Sequence, residues 1–296
     1  MLTPPALRPG SNIHIIAPSG PFDRALFWRA AGWLSKHHRL LFDRSIFERN
    51  GFLAGSDERR RVELQQAIDN PEIGAIVAAR GGWGAARFVT SIDFSGLISH
   101  PKWIVGFSDP TVLHVRAWQF GVASLHAHNM VGLGRGEKYA RDTWLQALEI
   151  PDKARVLRGH SLSAGKHNGV LVGGNLSVLF SCLAMGILHF PDNCILAIED
   201  VAESSYRIDR MLNALLASGV MDRVAAFALG QFVDCDAGRH GVPVSEVLKD
   251  HIGRIGVPAV MNLPFGHGRV NEPLPLGAQV TLDGTLGELR LGQSVD

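Results

Sequence analysis

The stretch KWIVGFSDPT, at positions 102–111, joins a strand to the start of a helix with almost nothing between them. The apolar run up to Phe107 is typical of a buried strand. Asp109 followed by Pro110 is typical of a helix start, because proline lacks only an N–H that the first turn leaves unpaired. Ser108 is therefore predicted at the tip of a strand-to-helix turn, where backbone N–H groups point toward any oxyanion formed beside its hydroxyl.

This turn is similar to the nucleophile elbow G-x-S-x-G, in which a serine is exposed above a sheet. Gly106 and Ser108 match the pattern, but the second glycine is absent. Ser and Asp are also common residues at helix caps. A serine that only caps a helix therefore remains an alternative to a nucleophile at this position.

Short apolar runs alternate with longer amphipathic segments on both sides of the turn. Strands are predicted at 12–17, 40–42, 73–79, 102–107 and 122–125, with helices at 24–36, at 59–68 and from about residue 110. This alternation is typical of parallel strands joined by crossover helices. It predicts an α/β domain over residues 1–150.

The apolar periodicity weakens after about residue 143, where Gly, Ser, His and Lys accumulate. We predict a linker at 151–168 and a second domain at 169–296. Strands are predicted there at 169–172, 194–198, 224–231, 259–262 and within 276–291, with helices at 175–184 and 206–217. Asp283 and Gly284 predict a hairpin turn.

Composition limits the classes of function. The chain has 296 residues, a formal charge of +1, 46% hydrophobic residues and no basic run, which argues against nucleic-acid or anionic-lipid binding and favours a small substrate. The three cysteines have no C-x-x-C spacing, so we expect free thiols rather than disulfides or a zinc site. Without an export signal or an apolar run of about 20 residues, the chain is expected to be cytoplasmic.

A glycine-rich segment, ARGGWGAAR at 79–87, follows the strand predicted at 73–79. Residues without side chains let backbone N–H groups approach an anion closely. The segment lacks the G-x-G-x-x-G spacing and the Lys-Ser/Thr ending of phosphate loops. We favour an oxyanion-hole loop, and an ordinary glycine turn is the alternative.

Two titratable residues stand out in the second half. Glu199 follows the apolar run 194–198, and His267 lies between Gly266 and Gly268. An imidazole between glycines is unhindered and titrates near neutral pH. Taken alone, a solvated acid at a strand end and a loop histidine without function are the alternatives.

Several motifs together resemble the LD-carboxypeptidase family of serine peptidases, which includes muramoyl-tetrapeptide carboxypeptidases and microcin self-immunity peptidases. The matching segments are IAPSG at 16–20, GFLAGSDE at 51–58, ARGGWGA at 79–85, PKWIVGFSD at 101–109, GGNL at 173–176, IEDV at 198–201, YRIDRML at 206–212 and PFGH at 264–267. They are collinear and cover almost the whole chain. The resemblance implies an N-terminal doubly wound, mainly parallel domain and a C-terminal mainly β domain, with the active site between them.

The resemblance also implies roles for individual residues. Ser108 is the expected nucleophile, His267 the general base and Glu199 the acid that orients the imidazole. Backbone N–H groups of Gly82 and Asp109 are the expected oxyanion hole. No metal or cofactor is implied. The expected reaction releases D-Ala from the diamino residue of a murein tetrapeptide during cell-wall recycling.

Other consequences of the resemblance are less specific. The candidates for substrate binding are Gly81, Trp83, Arg80, Arg87 and Arg207, since a terminal carboxylate needs a cation. The family usually has Tyr at position 83, and His-Gly-Pro where this chain has His126-Ala127-His128-Asn129. Family members commonly form homodimers. A self-immunity peptidase acting on a peptidyl-nucleotide, and a non-catalytic nucleotide-binding module, are the alternative functions.

Overall fold

The computed structural model describes residues 1–238 and 241–292. The chain divides into two compact units. The first unit comprises residues 1–151 and 273–277, and the second comprises residues 152–272 and the chain from 278 onward. No helix in the described ranges is both long enough and apolar enough to cross a membrane.

The first unit is a parallel sheet with crossover helices. Its elements are β1 (Asn12–Ile16), α1 (Arg24–Leu34), β2 (Arg39–Leu41), α2 (Asp57–Asp69), β3 (Ile73–Ala78), α3 (Gly96–Ser99), β4 (Trp103–Gly106), α4 (Thr111–Gln119), β5 (Ser124–His126), α5 (Met130–Arg135), α6 (Lys138–Glu149) and, much later in the chain, β12 (Leu274–Leu276). The strand order is β12-β5-β4-β3-β1-β2. All neighbours are parallel except β12, which is antiparallel to β5.

Both faces of this sheet are covered. Ile15 and Val77 point into a core formed with α1, α5 and α6, while Ile16 and Ile76 are buried on the opposite face, where α2 and α4 pack against the strands. Strands buried on both sides give continuous apolar runs instead of alternation, which explains why they were recognisable in the sequence. The predicted doubly wound, mainly parallel sheet is confirmed.

The second unit is built on one large mixed sheet. Its elements are β6 (Arg155–Arg158), β7 (His160–Ser163), β8 (Lys166–Asn175), α7 (Leu176–Ala184), β9 (Cys194–Val201), α8 (Ser205–Ala217), β10 (Val224–Val233), α9 (Val244–Ile255), β11 (Ala259–Met261), β13 (Gln279–Asp283) and β14 (Glu288–Leu291). The eight strands run in the order β6-β14-β13-β8-β9-β10-β11-β7. Strands β8 to β11 are parallel to their neighbours within that group, and the flanking strands pair antiparallel.

Two sequence predictions about segments differ from the structure. Residues 151–168, expected to be a linker, contain β6, β7 and the start of β8. β6 and β7 are the two edge strands of the sheet, and edge strands with exposed polar side chains give little hydrophobic signal. Residues 273–277, expected in the second domain, belong to the first unit because β12 pairs with β5.

Candidate active site

Ser108 lies in a sharp turn between β4 and α4. Its backbone has φ 69°, a left-handed conformation that is uncommon for a residue with a side chain. The Ser108 carbonyl accepts a hydrogen bond from Thr111 N at 2.9 Å, which closes the turn directly onto the helix. Holding a non-glycine residue in this region costs about 1–3 kcal/mol and is frequent at active sites. The turn therefore has the strained backbone of a nucleophile elbow.

Asp109 has a different role from the one expected. We predicted it to be the helix N-cap, with Pro110 as first helical residue, but the cap is Pro110 and the helix begins at Thr111. The buried Asp109 carboxylate instead accepts a hydrogen bond from Ala85 N at 2.9 Å. Burial raises the pKa of the Asp109 carboxyl, outweighing the hydrogen bonds from Ser19 and from backbone N–H groups and the nearby positive charge of Arg60.

The glycine-rich loop after β3 packs directly on the elbow. A Cβ atom on Gly81 would lie 2.8 Å from the Cβ and 2.9 Å from the Oγ of Ser108, so only glycine fits there. Gly82 and Gly84 have φ values of 103° and 136°, which also favour glycine. A hydrogen bond joins the loop to the segment that follows β1, since Gly20 N donates to the carbonyl of Gly81 at 3.1 Å.

A buried arginine, which we did not single out in the sequence, supports this loop. Arg60 on α2 is fully buried; its Nη1 donates to the carbonyl of Pro18 at 2.6 Å, and Nη2 pairs with Asp57. A Cβ on Gly84 would lie 2.5 Å from Arg60 Nη1, so the loop rests on the guanidinium. The GFLAGSDE motif at 51–58 ends in the first turn of α2, and that position was the only sequence signal for this support.

Glu199 and His267 form a hydrogen-bonded pair in the second unit. The distance from His267 Nδ1 to Glu199 Oε2 is 2.7 Å, and the Glu199 side chain is fully buried while that of His267 is 18% exposed. Glu199 lies inside β9, which extends three residues beyond the strand predicted at 194–198. A Cβ on Gly266 would lie 2.7 Å from Glu199 Oε2, which explains the glycine before the histidine.

The pair sets the protonation behaviour of the imidazole. Burial lowers the pKa of His267, but the hydrogen bond and negative charge of Glu199, with the charge of Asp200, outweigh burial and raise it above its usual value of 6.5. The carboxylate also fixes the tautomer, because Nδ1 must carry the proton that Glu199 accepts. In this tautomer the other ring nitrogen, Nε2, carries no proton, which is the form that a general base needs.

Asn175 and Asp200 hold Glu199 in place, and the sequence did not indicate these roles. Asn175 Nδ2 donates to Glu199 Oε1 at 3.3 Å and to Asp200 Oδ1 at 3.0 Å. Asp200 Oδ2 in turn accepts from the backbone N and the Oγ of Ser177, at 2.9 and 2.7 Å. Asn175 and Asp200 lie in the GGNL and IEDV motifs, so their membership of these motifs was the available signal.

The remaining candidates are distributed over both units. Trp83 is 44% exposed in the glycine loop. Arg80 Nη1 donates to the carbonyl of Pro21 at 2.7 Å, whereas Arg87 is paired with Asp57 at 2.8 Å and Arg207 with Glu203 at 2.9 Å.

His126, the last residue of β5, is buried, and His128, two residues later, is half-buried; both lie close to the elbow. The rings of His126 and His128 contact the ring of Phe107, with centroids 6.1 and 5.9 Å away. Burial lowers the pKa of His128 to about 4, so this imidazole is neutral at pH 7. Across residues 1–238 and 241–292, no group of three or more His, Cys, Asp and Glu side chains is arranged to hold a metal ion.

The structure thus assembles the predicted residues in two groups. Ser108, Gly81, Gly82 and Asp109 lie together in the first unit, around the turns that follow β3 and β4. Glu199 and His267 lie together in the second unit. The approach of His267 to Ser108 stays a prediction.

Comparisons with known proteins agree with the sequence motifs. Residues 13–127 match the LD-carboxypeptidase N-terminal domain and residues 168–282 match the LD-carboxypeptidase C-terminal domain. A putative carboxypeptidase of Synechocystis is 39% identical, over 97% of this chain and 96% of the relative. The murein tetrapeptide carboxypeptidase of Pseudomonas aeruginosa is 34% identical, over 81% of this chain and 82% of the relative.

A solved structure is similar along almost the full length. The crystal structure of muramoyltetrapeptide carboxypeptidase from Oxalobacter formigenes has a TM-score of 0.86 and 28% identity, covering 95% of this chain and 99% of that one. The family matches cover both halves of the chain, including the segments that contain Ser108, Glu199 and His267. The chain therefore belongs to the LD-carboxypeptidase family.

Proposed function

We propose that this protein is a serine carboxypeptidase that hydrolyses the L,D bond between the diamino residue and the terminal D-Ala of murein tetrapeptides. The observation that carries the proposal is the strained Ser108 turn packed on a glycine loop, in a chain that also holds His267 hydrogen-bonded at 2.7 Å to the buried Glu199. The similarity to a murein tetrapeptide carboxypeptidase supports the substrate class. We place the reaction in cytoplasmic recycling of cell-wall fragments, as the family resemblance implies.

The proposed first step is attack by Ser108. His267 Nε2 removes the hydroxyl proton as Oγ bonds to the carbonyl carbon of the diamino residue. The imidazolium then gives this proton to the nitrogen of D-Ala, the C–N bond breaks, and D-alanine leaves. Water, deprotonated by the same imidazole, attacks the acyl-enzyme; Ser108 takes back the proton and the tripeptide is released.

Glu199 and the glycine loop stabilise charges that appear only during reaction. The buried Glu199 carboxylate faces the imidazolium that forms in each step, so it lowers the barrier while holding the ring in the reactive tautomer. Backbone N–H groups of Gly82 and Asp109 are the proposed donors to the oxyanion. One such donor is worth about 3 kcal/mol of transition-state stabilisation.

The test is hydrolysis of a purified murein tetrapeptide, followed by release of D-alanine and tripeptide. We expect Ser108→Ala to lower kcat by about 10³-fold or more with the fold unchanged, while Ser99→Ala, an exposed serine at the end of α3, leaves kcat unchanged. Hydrolysis of a peptidyl-nucleotide but not of the tetrapeptide would favour the self-immunity function. Full function in Ser108→Ala would favour a nucleotide-binding module.

A further inference from the structure

We propose that Arg80 binds the free carboxylate of the substrate's terminal residue, an inference that rests on the proposed function and adds the residue that recognises the chain end. The leaving group in that reaction is one amino acid. Its carboxylate lies within about one residue length, ~3.8 Å between Cα atoms, of the bond that is cut. The cation that neutralises this carboxylate must therefore lie very close to the nucleophile.

Arg80 is next in the chain to the residue that touches the nucleophile. Its neighbour Gly81 packs on Ser108, as a Cβ on Gly81 would lie 2.9 Å from Ser108 Oγ. The guanidinium of Arg80 lies beside Gly20, where an added Cβ would be 3.3 Å from Nη1. Gly20 is itself hydrogen-bonded to Gly81 at 3.1 Å. The charge is thus held beside the glycine loop that packs on Ser108.

The topology of the sheet supports the same location. The segment containing Gly20 follows β1, and Arg80 follows β3. These two strands are neighbours, and the chain runs outward from them in opposite directions, to β2 on one side and to β4 and β5 on the other. In open parallel sheets, ligands bind outside the carboxyl ends of the strands at this switch point. Arg80 therefore lies where the fold itself opens a crevice.

Ion pairing separates Arg80 from the other arginines considered. Arg87 makes two hydrogen bonds of 2.9 Å to Asp57, and Arg207 pairs with Glu203 at 2.9 Å. Arg80 has no carboxylate partner among residues 1–238 and 241–292, and its bond to the carbonyl of Pro21 occupies one of its five N–H donors. The free edge of a guanidinium matches a carboxylate in geometry and charge. Arg80 is thus the one of these three whose charge is available.

Recognition of this kind would decide where the enzyme cuts. A peptide that continues beyond the scissile residue, or that ends in an amide, has no negative charge at this position. When such a peptide binds, Arg80 has no ionic partner. The loss of binding free energy is large when a hydrogen bond to a charged group is missing. Arg80 would therefore restrict cleavage to the last residue of a chain with a free carboxyl end.

The kinetic test compares a tetrapeptide ending in free D-Ala with the same peptide ending in D-alaninamide. For the free acid, Arg80→Gln is expected to lower kcat/KM by about 10- to 100-fold, mainly through KM, with little change for the amide. Arg80→Lys keeps the charge but not the planar shape of the guanidinium. Its kcat/KM for the free acid is expected to lie between the values for wild type and Arg80→Gln. The matched control is Arg49→Gln, an exposed arginine whose Nε donates to the carbonyl of Gly51 at 3.2 Å, and it should keep the wild-type preference.

A binding experiment separates this inference from the proposed function. In the Ser108→Ala background, calorimetry should give tighter binding of the free acid than of the amide, and adding Arg80→Gln should remove that difference. If the wild type releases no D-alanine, the proposed function fails and the binding comparison alone decides on Arg80. An acid-over-amide preference that is equal with and without Arg80, or no binding of either peptide, would overturn the inference.

Discussion

The protonation state of His267 is the property of a single residue on which the proposed reaction depends most directly. Only the neutral imidazole can accept the serine proton, and the pKa of His267 is raised above 6.5 by Glu199 and Asp200 in spite of burial. We therefore expect kcat/KM to fall as the pH decreases through this raised pKa, with an acid limb centred above pH 6.5. A pH–rate profile of the wild type measures the midpoint of this limb. A midpoint at or below pH 6.5 would contradict the role of His267 as the general base.

The matched variant for this prediction is Glu199→Gln, which keeps the shape of the side chain and removes its charge. Without that charge, burial dominates, so the pKa of His267 should fall below the wild-type value. Activity should decrease by about 10⁴-fold, the effect of replacing the acid by its amide in a Ser-His-Asp triad. Titration of the imidazole by NMR gives the pKa separately from activity, so a pKa unchanged by Glu199→Gln would show that the pair does not set it.

At the same scale, the sequence indicated the proposed reactive groups more clearly than the residues that support them. Ser108 and His267 carry local signals, a strand-to-helix turn and flanking glycines. Asn175 and Arg60 act on partners that only the fold brings close, Asn175 on Glu199 and Arg60 on the loop at Gly84. No local sequence pattern indicates such a contact. Glu199 itself is buried inside β9 and not solvated at a strand end, because His267 and Asn175 satisfy its oxygens.

The packing of one turn on another explains the glycines after β3. Gly81→Ala would bring a Cβ within 2.8 Å of the Ser108 Cβ and 3.2 Å of the Phe107 carbonyl, neither of which is a flexible side-chain end. We expect the glycine loop to shift and kcat to fall by about 10²-fold, the effect of losing one oxyanion donor. Circular dichroism and kinetics measured together check that the loss is local to the site.

The control for this element is Gly253 in α9, where an added Cβ would meet nothing within 4 Å. Gly253→Ala should leave kcat unchanged and raise the free energy of unfolding by about 0.4–1 kcal/mol, because alanine restricts the unfolded chain and suits a helix. Equal kinetics for Gly81→Ala and wild type would mean that the loop is not part of the oxyanion site.

Strands buried on both faces were predictable, whereas the edge strands β6 and β7 were not. The runs at 73–79 and 102–107 are continuous and apolar, and they became β3 and β4. β6 buries only one of its four side chains at the edge of its sheet, so its sequence has neither a buried run nor a clear alternation. Pairing across the chain, with β14, makes it a strand. That information is not local.

At the scale of the whole molecule, the chain passes between its two units more than once. It leaves the first unit after residue 151 and returns for residues 273–277, which add β12 to the first sheet. A three-residue strand containing Pro275 gives almost no strand signal, and a boundary drawn from composition assigns it to the wrong domain. Family motifs gave the order of the proposed catalytic residues along the chain, and the proposed meeting of Ser108 with His267 can be tested directly.

That meeting has a chemical signature that needs no substrate. In Ser108→Cys, a nearby His267 would hold the new sulfur as a thiolate paired with imidazolium, so its pKa should fall well below the usual value of about 8.5. The native thiols interfere little, because burial raises the pKa of Cys235 to about 11 and that of Cys194 to about 12, and Cys182 is buried. The pH dependence of alkylation by iodoacetamide measures the new thiol. Adding His267→Ala to Ser108→Cys should return the pKa to about 8.5 or higher, and identical alkylation profiles for the two variants would exclude a shared catalytic centre.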